Sequence, residues 1–565
     1  MKRSKDVNKI HNVLAVAGSV ALSMAVLAAP ASAAAPWAGT ATHQHPALEK
    51  ATALGAPAAS QVLHIAVALK LQNKQALDQY VEGQRTPGSP AYRQVLTSEQ
   101  FVANYAPSAA QAQSVVSYLR GQGFTNVSAS ADRMLVTADG SRTAIESAFN
   151  TRLQQFLFNG RTVHINVTDA QVPASLGGTV LSVLGLQNAD VAIPLIVHAT
   201  ASASARPLAA AATGHVPVQF PQIYNAGSTP TGVATDIGII ASGNLTGVVT
   251  DLRTYETQNG LAQVPVTFVP SATASTDTSG SDEWDLDSQS STSIAGGVHS
   301  IVFYNAPSLS DADLEADFAQ VTSSNAVKAI NVSLGECESG ASTSGFITAA
   351  DQTFERAVAQ GQTFFVSTGD GGAYTGCSAQ EGVLTAVGYP ASSPYVVAVG
   401  GTTLNTNSDG SYASETTWAG AGGGISTVES SQTWQRAVSG NTSRVVPDVT
   451  MDADPNSGAE IIVNGSSETV GGTSLAAPLA VGTWARAQSA SGNTLGFAAP
   501  LIYAAAASTP GAFHDVTSGC NSGNNLIDQL LSLLLGQKNY CASAGFDDAT
   551  GLGSFNIASF ITAVQ

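Results

Sequence analysis

The string Gly471-Gly472-Thr473-Ser474-Leu475-Ala476-Ala477-Pro478 carries the strongest chemical signal in this chain of 565 residues. A serine that follows two glycines and enters a helix of small residues is well placed to act as a nucleophile. The glycines let backbone and substrate approach closely, and the amino terminus of a helix favours a developing negative charge. The alternative interpretation is a glycine-rich turn that only caps a helix.

The sequence before this string predicts an α/β fold. Short apolar runs at residues 236–241, 329–334, 363–368 and 395–399 are predicted strands, and helical stretches lie between several of them. Such alternation indicates a mostly parallel sheet covered by helices on both faces.

The first part of the chain has the pattern of a small α+β domain. Thr97 with Gln100, and Ser108 with Gln111, form capping boxes that predict the starts of two helices. Residues 198–214 are almost all small, so they are predicted to form a linker that is open to proteolysis. The chain is therefore predicted to divide into residues 1–33, 34–205 and 206–565.

Composition and charge exclude some classes of protein. Hydrophobic residues make up 44% of the chain and charged residues 11%, which argues against a disordered chain and a coiled coil. The net charge is −18, and phosphate binding needs clustered Lys and Arg, so no nucleic acid is expected as a partner. Residues 206–565 hold 8 Lys+Arg and 30 Asp+Glu, whereas residues 1–205 hold 14 and 10. We expect the two parts to attract each other, and acid to weaken that attraction.

The amino terminus has the pattern of a secretory signal peptide. Four basic residues precede an apolar run at 13–29, and Ala31-Ser32-Ala33 then resembles a cleavage site. A membrane anchor is the alternative, but the run is marginal for the roughly 20 residues that a spanning helix needs. We expect residues 1–33 to be removed and the rest to be secreted as a soluble extracellular protein without a membrane partner.

The four cysteines suit an exported protein. Their even number allows three disulfide pairings, of which pairing between sequence neighbours joins Cys337 to Cys377 and Cys520 to Cys541. Zinc binding is the competing interpretation, but the sequence has no C-x-x-C and no nearby cluster of histidines. We expect two disulfides, with the pairing left open.

Three acidic residues are candidates for chemistry. Glu283 and Asp287 are four residues apart, so on a helix they lie on the same side within reach of each other. Close carboxyl groups share protons, which can leave one as a base and its neighbour as an orienting partner. Asp370 ends an apolar strand, and the carboxyl ends of parallel strands are where sites form. The alternatives are a solvated acidic helix face for the pair and a turn cap for Asp370.

A serine nucleophile also needs a base. The Ser474 string resembles the Gly-Thr-Ser-x-Ala-x-Pro motif of the subtilisin-like fold, whose members use a His that is followed by Gly-Thr. His215, His299 and His514 are the three histidines after the linker, and none has those neighbours. His299 is predicted to lie at the buried entrance of a strand.

Together these motifs resemble the sedolisin family, the serine-carboxyl peptidases, over nearly the whole chain beyond the signal peptide. The resemblance rests on Glu283-x-x-x-Asp287, on Ser367-x-Gly369-Asp370 and on the Ser474 string. It implies a subtilisin-like fold in residues 206–565, preceded by an activation pro-domain and linker in residues 34–205. It also implies roles for four residues: Glu283 as general base, Asp287 as its partner, Asp370 as the oxyanion-hole acid and Ser474 as nucleophile.

A carboxylate base suits acidic surroundings. At pH 3–5 a His is protonated, whereas a Glu with an ordinary pKa of about 4.3 can still accept a proton. The resemblance thus implies a secreted endopeptidase, made as a zymogen, that processes itself at low pH and hydrolyses protein or peptide substrates through an acyl-enzyme. Its own pro-domain acts as intramolecular inhibitor and folding aid, and the enzyme is expected to be a monomer.

The family also binds one structural Ca²⁺ through two Asp side chains and three main-chain carbonyl groups, and hard oxygen ligands suit this ion. Carried over by position, the ligands are Asp515, Val516, Ser543, Gly545 and Asp547. Spacing alone indicates only ordinary loop acids. Two features depart from the family pattern, namely Ser543 where many relatives have Gly and a longer insertion between Cys520 and Cys541.

Three other functions remain open at this point. One is a neutral subtilisin-like protease with a remote His. Another is a non-catalytic secreted binding module on a protease-like scaffold. The third is a structural surface protein that calcium stabilises. One further resemblance bears on specificity, because Ser333-Leu334-Gly335 is similar to the substrate-pairing strand of the family, with Leu334 where some members have Trp.

Overall fold

The computed structural model describes residues 36–45, 51–158, 160–199, 214–272, 275–373, 385–522 and 539–565. The predicted signal peptide, most of the predicted linker and Cys377 lie outside these ranges. Trp37–Gln565 is one compact unit. Within the described ranges, no helix is both long enough and apolar enough to cross a membrane.

The first part of the described chain is built of small antiparallel sheets and four helices. Its strands are β1 Trp37–Gly39, β2 Thr52–Gly55, β3 Val62–Leu69, β4 Thr125–Ala129, β5 Leu135–Ser141, β6 Leu153–Phe158, β7 Arg161–Asn166, β8 Gln171–Pro173, β9 Val180–Leu184, β10 Ile193–Pro194 and β11 Val197–His198. Its helices are α1 Lys74–Arg85, α2 Ser98–Asn104, α3 Ala109–Gly121 and α4 Arg142–Ala148. Both predicted capping boxes are present, at the starts of α2 and α3.

The sheet β4-β5-β3-β9 uses its two faces differently. Side chains alternate along a strand, so on β3 Ile65 and Val67 join the core of this small domain together with residues of α3. Ala66 and Ala68 face the other way and join the large core of the second part of the chain. A buried ion pair between Asp132 and Arg356 also links the two parts.

The second part of the described chain is an α/β domain. Its strands are β12 Gly232–Ser242, β13 Val266–Pro270, β14 Val298–Ala306, β15 Ala329–Val332, β16 Leu334–Cys337, β17 Thr363–Ser367, β18 Gly388–Tyr389, β19 Val397–Thr406, β20 Tyr412–Thr417, β21 Gly424–Ser430, β22 Ser443–Val446, β23 Val449–Asp452, β24 Ala459–Val463, β25 Ser466–Gly471, β26 Phe513–His514 and β27 Ser554–Phe555. Its helices are α5 Phe220–Ile223, α6 Thr246–Gln258, α7 Ser281–Ala295, α8 Asp311–Ser324, α9 Glu338–Ser344, α10 Phe346–Ala359, α11 Thr433–Ser439, α12 Thr473–Ala490, α13 Ala498–Ser508 and α14 Ile557–Val564.

An eight-stranded sheet forms the centre of this domain, with the order β13-β14-β12-β15-β17-β19-β20 and with β23 paired to β19. All neighbours are parallel except β19 and β20. Helices flank the sheet, so the predicted fold class is confirmed. Each of the four predicted strands overlaps a strand of this sheet, namely β12, β15, β17 and β19 in turn.

Helices α7 and α12 pack directly against each other, and Gly482 makes this close approach possible. A Cβ atom on Gly482 would collide with the backbone oxygen of Ser291 and with the side chain of Ile294, both on α7. Almost every residue of the two helices is buried. The contact therefore fixes the position of acidic α7 relative to the helix that begins at Thr473.

Several carboxyl groups are buried in this domain. Burial is the largest cause that raises the pKa of Asp285 to about 9, of Glu315 to about 8 and of Glu355 to about 8. Each of these acids therefore binds its proton more tightly in the folded state than in the unfolded state.

This proton binding predicts the pH dependence of stability. Because the folded pKa lies above the unfolded one, stability falls as pH rises from the unfolded value of about 4 toward the folded value. We expect urea unfolding of the Ser474→Ala chain to give a free energy of unfolding that decreases from about pH 4 to about pH 8. Asp285→Asn should make this decrease shallower, because an amide does not titrate, while the exposed Asp409→Asn should not. A free energy of unfolding that increases over this range would contradict the expectation.

Candidate active site

Ser474 lies in the first turn of α12, where the sequence predicted it. Gly472 precedes the helix at a φ of 97°, which favours glycine. A Cβ atom at this position would also collide with the carbonyl oxygen of Leu195 and lie 2.7 Å from Asp370 Oδ2. The Ser474 side chain is buried, and its Oγ donates to the Ser333 carbonyl oxygen at 3.5 Å. Backbone N–H groups in the first turn of a helix lack intrahelical acceptors, so α12 presents donors next to this hydroxyl.

Glu283 and Asp287 lie one turn apart on α7 and are both buried. Asp287 Oδ1 accepts a hydrogen bond from Ser333 Oγ at 2.6 Å, and Ser333 Oγ accepts one from Asn331 Nδ2 at 2.9 Å. These bonds fix the Asp287 carboxyl group. Among the described residues, no group satisfies either carboxyl oxygen of Glu283 with a well-formed hydrogen bond, although the Ser474 hydroxyl lies close enough to act on this carboxyl group.

Asp370 follows β17 at the carboxyl edge of the sheet, and its two oxygens have different surroundings. Oδ1 accepts hydrogen bonds from the Thr473 backbone N–H and from Thr473 Oγ1, both at 2.8 Å. Thr473 Oγ1 in turn accepts from the Gly369 N–H at 3.0 Å. Oδ2 is buried, lacks a hydrogen-bond partner in the described structure and lies against Gly472. A proton on this carboxyl group therefore belongs on Oδ2.

The three carboxyl groups have raised pKa values. Burial is the largest cause for Glu283, and the Asp287 carboxylate adds to it, while the Ser474 hydroxyl opposes the rise of the pKa. Burial also raises the pKa of Asp287, against the hydrogen bonds from Ser333 and Asn331. Burial raises the pKa of Asp370 to about 7, against the bonds from Thr473. Two close carboxyl groups such as Glu283 and Asp287 tend to share one proton.

None of the three histidines after the linker has a described contact with Ser474. His299 is the second residue of β14 and forms a hydrogen bond with Asp236 Oδ1 at 2.7 Å, with a side chain that is 67% exposed. The expectation that His299 is buried was therefore wrong: Val298 before it is buried, but the His299 side chain lies on the exposed side of the strand. His215 packs edge-on against Phe220, and His514 stacks on Tyr412.

A segment of the first domain, residues 193–198, lies over the start of the helix that carries Ser474. β10 pairs antiparallel with β16, and β11 pairs antiparallel with β25, the strand that leads into the Ser474 helix. Ser333-Leu334-Gly335, predicted as a substrate-pairing strand, makes these contacts with residues 193–195. Residues 193–198 carry no motif of their own, so only the tertiary structure could place them there.

The five predicted calcium ligands lie on two loops that contact each other. The Gly545 N–H donates to Asp515 Oδ1 and Oδ2 at 3.2 and 3.0 Å, and the Ser543 N–H donates to Asp547 Oδ2 at 2.9 Å. Asp547 Oδ1 also accepts from the Ala549 and Thr550 N–H groups. Residues 511–522 and 539–551 contain no Lys or Arg. The oxygen donors and their negative charge fit a hard cation such as calcium.

The three cysteines that the structure describes are all disulfide-bonded. Cys520 and Cys541 form a disulfide, which is the pairing between sequence neighbours among the three that the sequence left open. Cys337 is also disulfide-bonded, while its predicted partner Cys377 lies outside the described residues. The Cys520–Cys541 bond joins the chain next to both predicted calcium loops.

The fold and the similarity to known proteins together define a serine-carboxyl peptidase with a subtilisin-like fold. Residues 49–189 match the family model described as pro-kumamolisin, activation domain, and residues 266–507 match that of the subtilase family. The solved structure of Pseudomonas sedolisin, a serine-carboxyl proteinase complexed with two molecules of pseudo-iodotyrostatin, has a TM-score of 0.58 and 42% identity, covering 62% of this chain and 98% of that one.

The chain belongs to the sedolisin family. It is 42% identical over 529 residues to sedolisin of Pseudomonas sp. (strain 101), which covers 90% of this chain and 88% of the relative. It is 39% identical to xanthomonalisin of Xanthomonas sp. (strain T-22), covering 90% of this chain and 66% of that protein. Kumamolisin of Bacillus sp. (strain MN-32) is 30% identical, covering 92% and 94%. The chain is therefore a peptidase with an activation domain, not a binding module.

Proposed function

We propose that this chain is a secreted, acid-active endopeptidase that is made as a zymogen, processes itself at low pH and acts through an acyl-enzyme. One observation carries the proposal: Ser474 lies in the first turn of α12 next to the buried carboxyl groups of Glu283 and Asp370, and no described histidine contacts it. Carboxyl groups can serve as base and acid at a pH where a histidine is already protonated.

In the proposed mechanism, Ser474 Oγ attacks the carbonyl carbon of a peptide bond and Glu283 takes its proton. Repulsion from Asp287 adds to the burial that raises the pKa of Glu283, so the two groups lose their protons in separate steps and a singly charged form of the pair exists between them. Asp287 is a positioning residue that Ser333 holds through its hydroxyl. Glu283 lacks competing hydrogen bonds in the described structure, so its oxygens are available for the Ser474 proton.

Asp370 is proposed to stabilise the oxyanion. Its Oδ1 is already satisfied by two donors from Thr473, so a proton on Oδ2 points toward the substrate carbonyl oxygen beside Gly472. An O–H that donates to the developing oxyanion stabilises the transition state, as do N–H groups at the start of a helix. Glu283 then gives its proton to the leaving amine, and water hydrolyses the acyl-enzyme by the same route in reverse.

The first domain is proposed to inhibit the enzyme within the same molecule. Its residues 193–198 pair with strands on both sides of Ser474 and fill the cleft. Residues 1–33 are proposed to direct secretion, and the linker to be cut on maturation. The substrates are proteins or peptides that bind in the same extended way, and the enzyme is proposed to act as a monomer.

Calcium is proposed to stabilise the carboxyl-terminal loops. The side chains of Asp515 and Asp547 and the carbonyl groups of Val516, Ser543 and Gly545 would hold the ion. Bound there, the ion supplies positive charge that ties the two loops together; it lies on loops other than those that carry Ser474 and has no role in the proton transfers.

The central test of the proposed function is the change of Ser474 to Ala. The variant lacks a nucleophile, so self-cleavage and hydrolysis of an unfolded protein at about pH 4 should both fall by at least about 10³-fold. Ser489→Ala, at the far end of the same helix, is the matched control and should keep activity. The measurement follows chain length and substrate hydrolysis in parallel from about pH 3 to about pH 8. Robust hydrolysis by the Ser474→Ala chain, or activity only near neutral pH, would refute the mechanism.

The calcium proposal has a test that does not use activity. Calcium at 100 times its Kd should stabilise the Ser474→Ala chain by about 2.7 kcal/mol, seen as a higher Tm that EDTA reverses. Asp515→Asn should abolish this difference in Tm, whereas Asp548→Asn, a neighbouring acid outside the ligand set, should retain it. Equal Tm values with calcium and with EDTA in the parent chain would exclude the site.

A further inference from the structure

The chain binds one of its own peptide segments across the cleft. On one side of Ser474, Ile193 pairs with Gly335 and Pro194 with Leu334, in antiparallel register. On the other side, Val197 pairs with Gly471 and His198 with Val470. The pairing partner changes between Pro194 and Val197, so the backbone between these residues passes over the start of α12.

Two contacts identify the peptide group that faces Ser474. The Ser333 carbonyl oxygen accepts the Leu195 N–H at 3.3 Å and the Ser474 Oγ–H at 3.5 Å, so both donors lie around the same atom. The Leu195 carbonyl oxygen lies against Gly472, on the same side as Asp370 Oδ2. The carbonyl group next to the nucleophile and the oxyanion acid is therefore that of Leu195.

We propose that Leu195–Ile196 is the first bond that the enzyme cuts in its own chain, and that Leu195 acts as the recognised side chain on the acyl side. This inference rests on the proposed function of Ser474. It places the first cut before the small-residue linker, and it makes Ile196 the first amino terminus of the processed chain.

The side chain of Leu195 supports its role in recognition. Leu195 is 7% exposed, whereas Ile193, two residues earlier, is 53% exposed. A Cβ atom on Gly335 would lie 3.2 Å from Leu195 Cδ1, so this glycine leaves room for the leucine. The space beside Gly335 thus receives an apolar side chain of the size of leucine. Other substrates are therefore expected to be cut after similar residues.

The chemistry of this cut is that of the proposed endopeptidase. Ser474 Oγ bonds to the Leu195 carbonyl carbon, and its proton passes through Glu283 to the Ile196 nitrogen, which leaves as an amine when the C–N bond breaks. Water then adds to the acyl carbon and releases a carboxylic acid at Leu195, which restores the Ser474 hydroxyl. No other reactant is needed.

The first experiment follows acid activation of the precursor without its signal peptide. We expect the earliest large product to begin at Ile196, and its rate constant to be independent of precursor concentration because the segment lies in its own cleft. Leu195→Gly should slow this first cut by at least about tenfold through loss of the apolar side chain. Leu208→Gly, a matched change in the linker, should leave it unchanged.

A second experiment does not depend on folding of the Leu195 variant. The mature wild-type enzyme should cut a synthetic peptide of residues 190–201 between Leu195 and Ile196, with at least about tenfold lower kcat/KM for the peptide with Gly at 195. If an unfolded protein is hydrolysed but the first precursor product begins elsewhere, and the peptide is not cut after Leu195, this inference fails and the proposed function stands. If neither the precursor nor the protein is cut at any pH, both fail.

Discussion

The burial of Glu283, Asp287 and Asp370 around one serine is the constraint on which the site depends. Taking carboxyl groups out of water disfavours their charged forms, and no described Lys or Arg forms an ion pair with any of the three. The groups therefore keep protons at a pH where exposed carboxyl groups have lost them. A protonated Asp370 can donate a hydrogen bond, and a singly charged Glu283–Asp287 pair can accept a proton.

Close packing of two helices and a few hydrogen bonds hold these groups in place. Gly482 lets α12 lie directly on α7, so Ser474 and Glu283 meet although they are far apart in sequence. Thr473 uses both its N–H and its hydroxyl to hold Asp370, and Ser333 holds Asp287. The first domain adds a peptide that fills the remaining space, with Leu195 over Gly335. The segment of the first domain thus contacts the same residues that surround Ser474.

Sequence patterns predicted the parts of the site that depend on local spacing. The four-residue interval of Glu283 and Asp287 indicated one helix face, and the glycines before Ser474 indicated the start of a helix; both are present. Tertiary contacts were not predictable in this way. The pairing of Ile193 with Gly335 joins residues from two domains, and the different surroundings of the two Asp370 oxygens arise only when β17 and α12 meet. His299 was wrongly expected to be buried, because its apolar neighbours do not reveal that its side chain lies on the exposed side of the strand.

The pH dependence of kcat/KM in the mature enzyme and in Asp370→Asn tests the central claim most directly. Burial raises the pKa of Asp370 in the precursor to about 7, so the activity of the mature wild-type enzyme should decline as pH rises above the ordinary range of a carboxyl group and the Oδ2 proton is lost. An Asn keeps an N–H donor at every pH, so the variant should have lower activity in acid but lose this decline. The same decline in both enzymes, or wild-type activity that increases toward pH 8, would contradict the account.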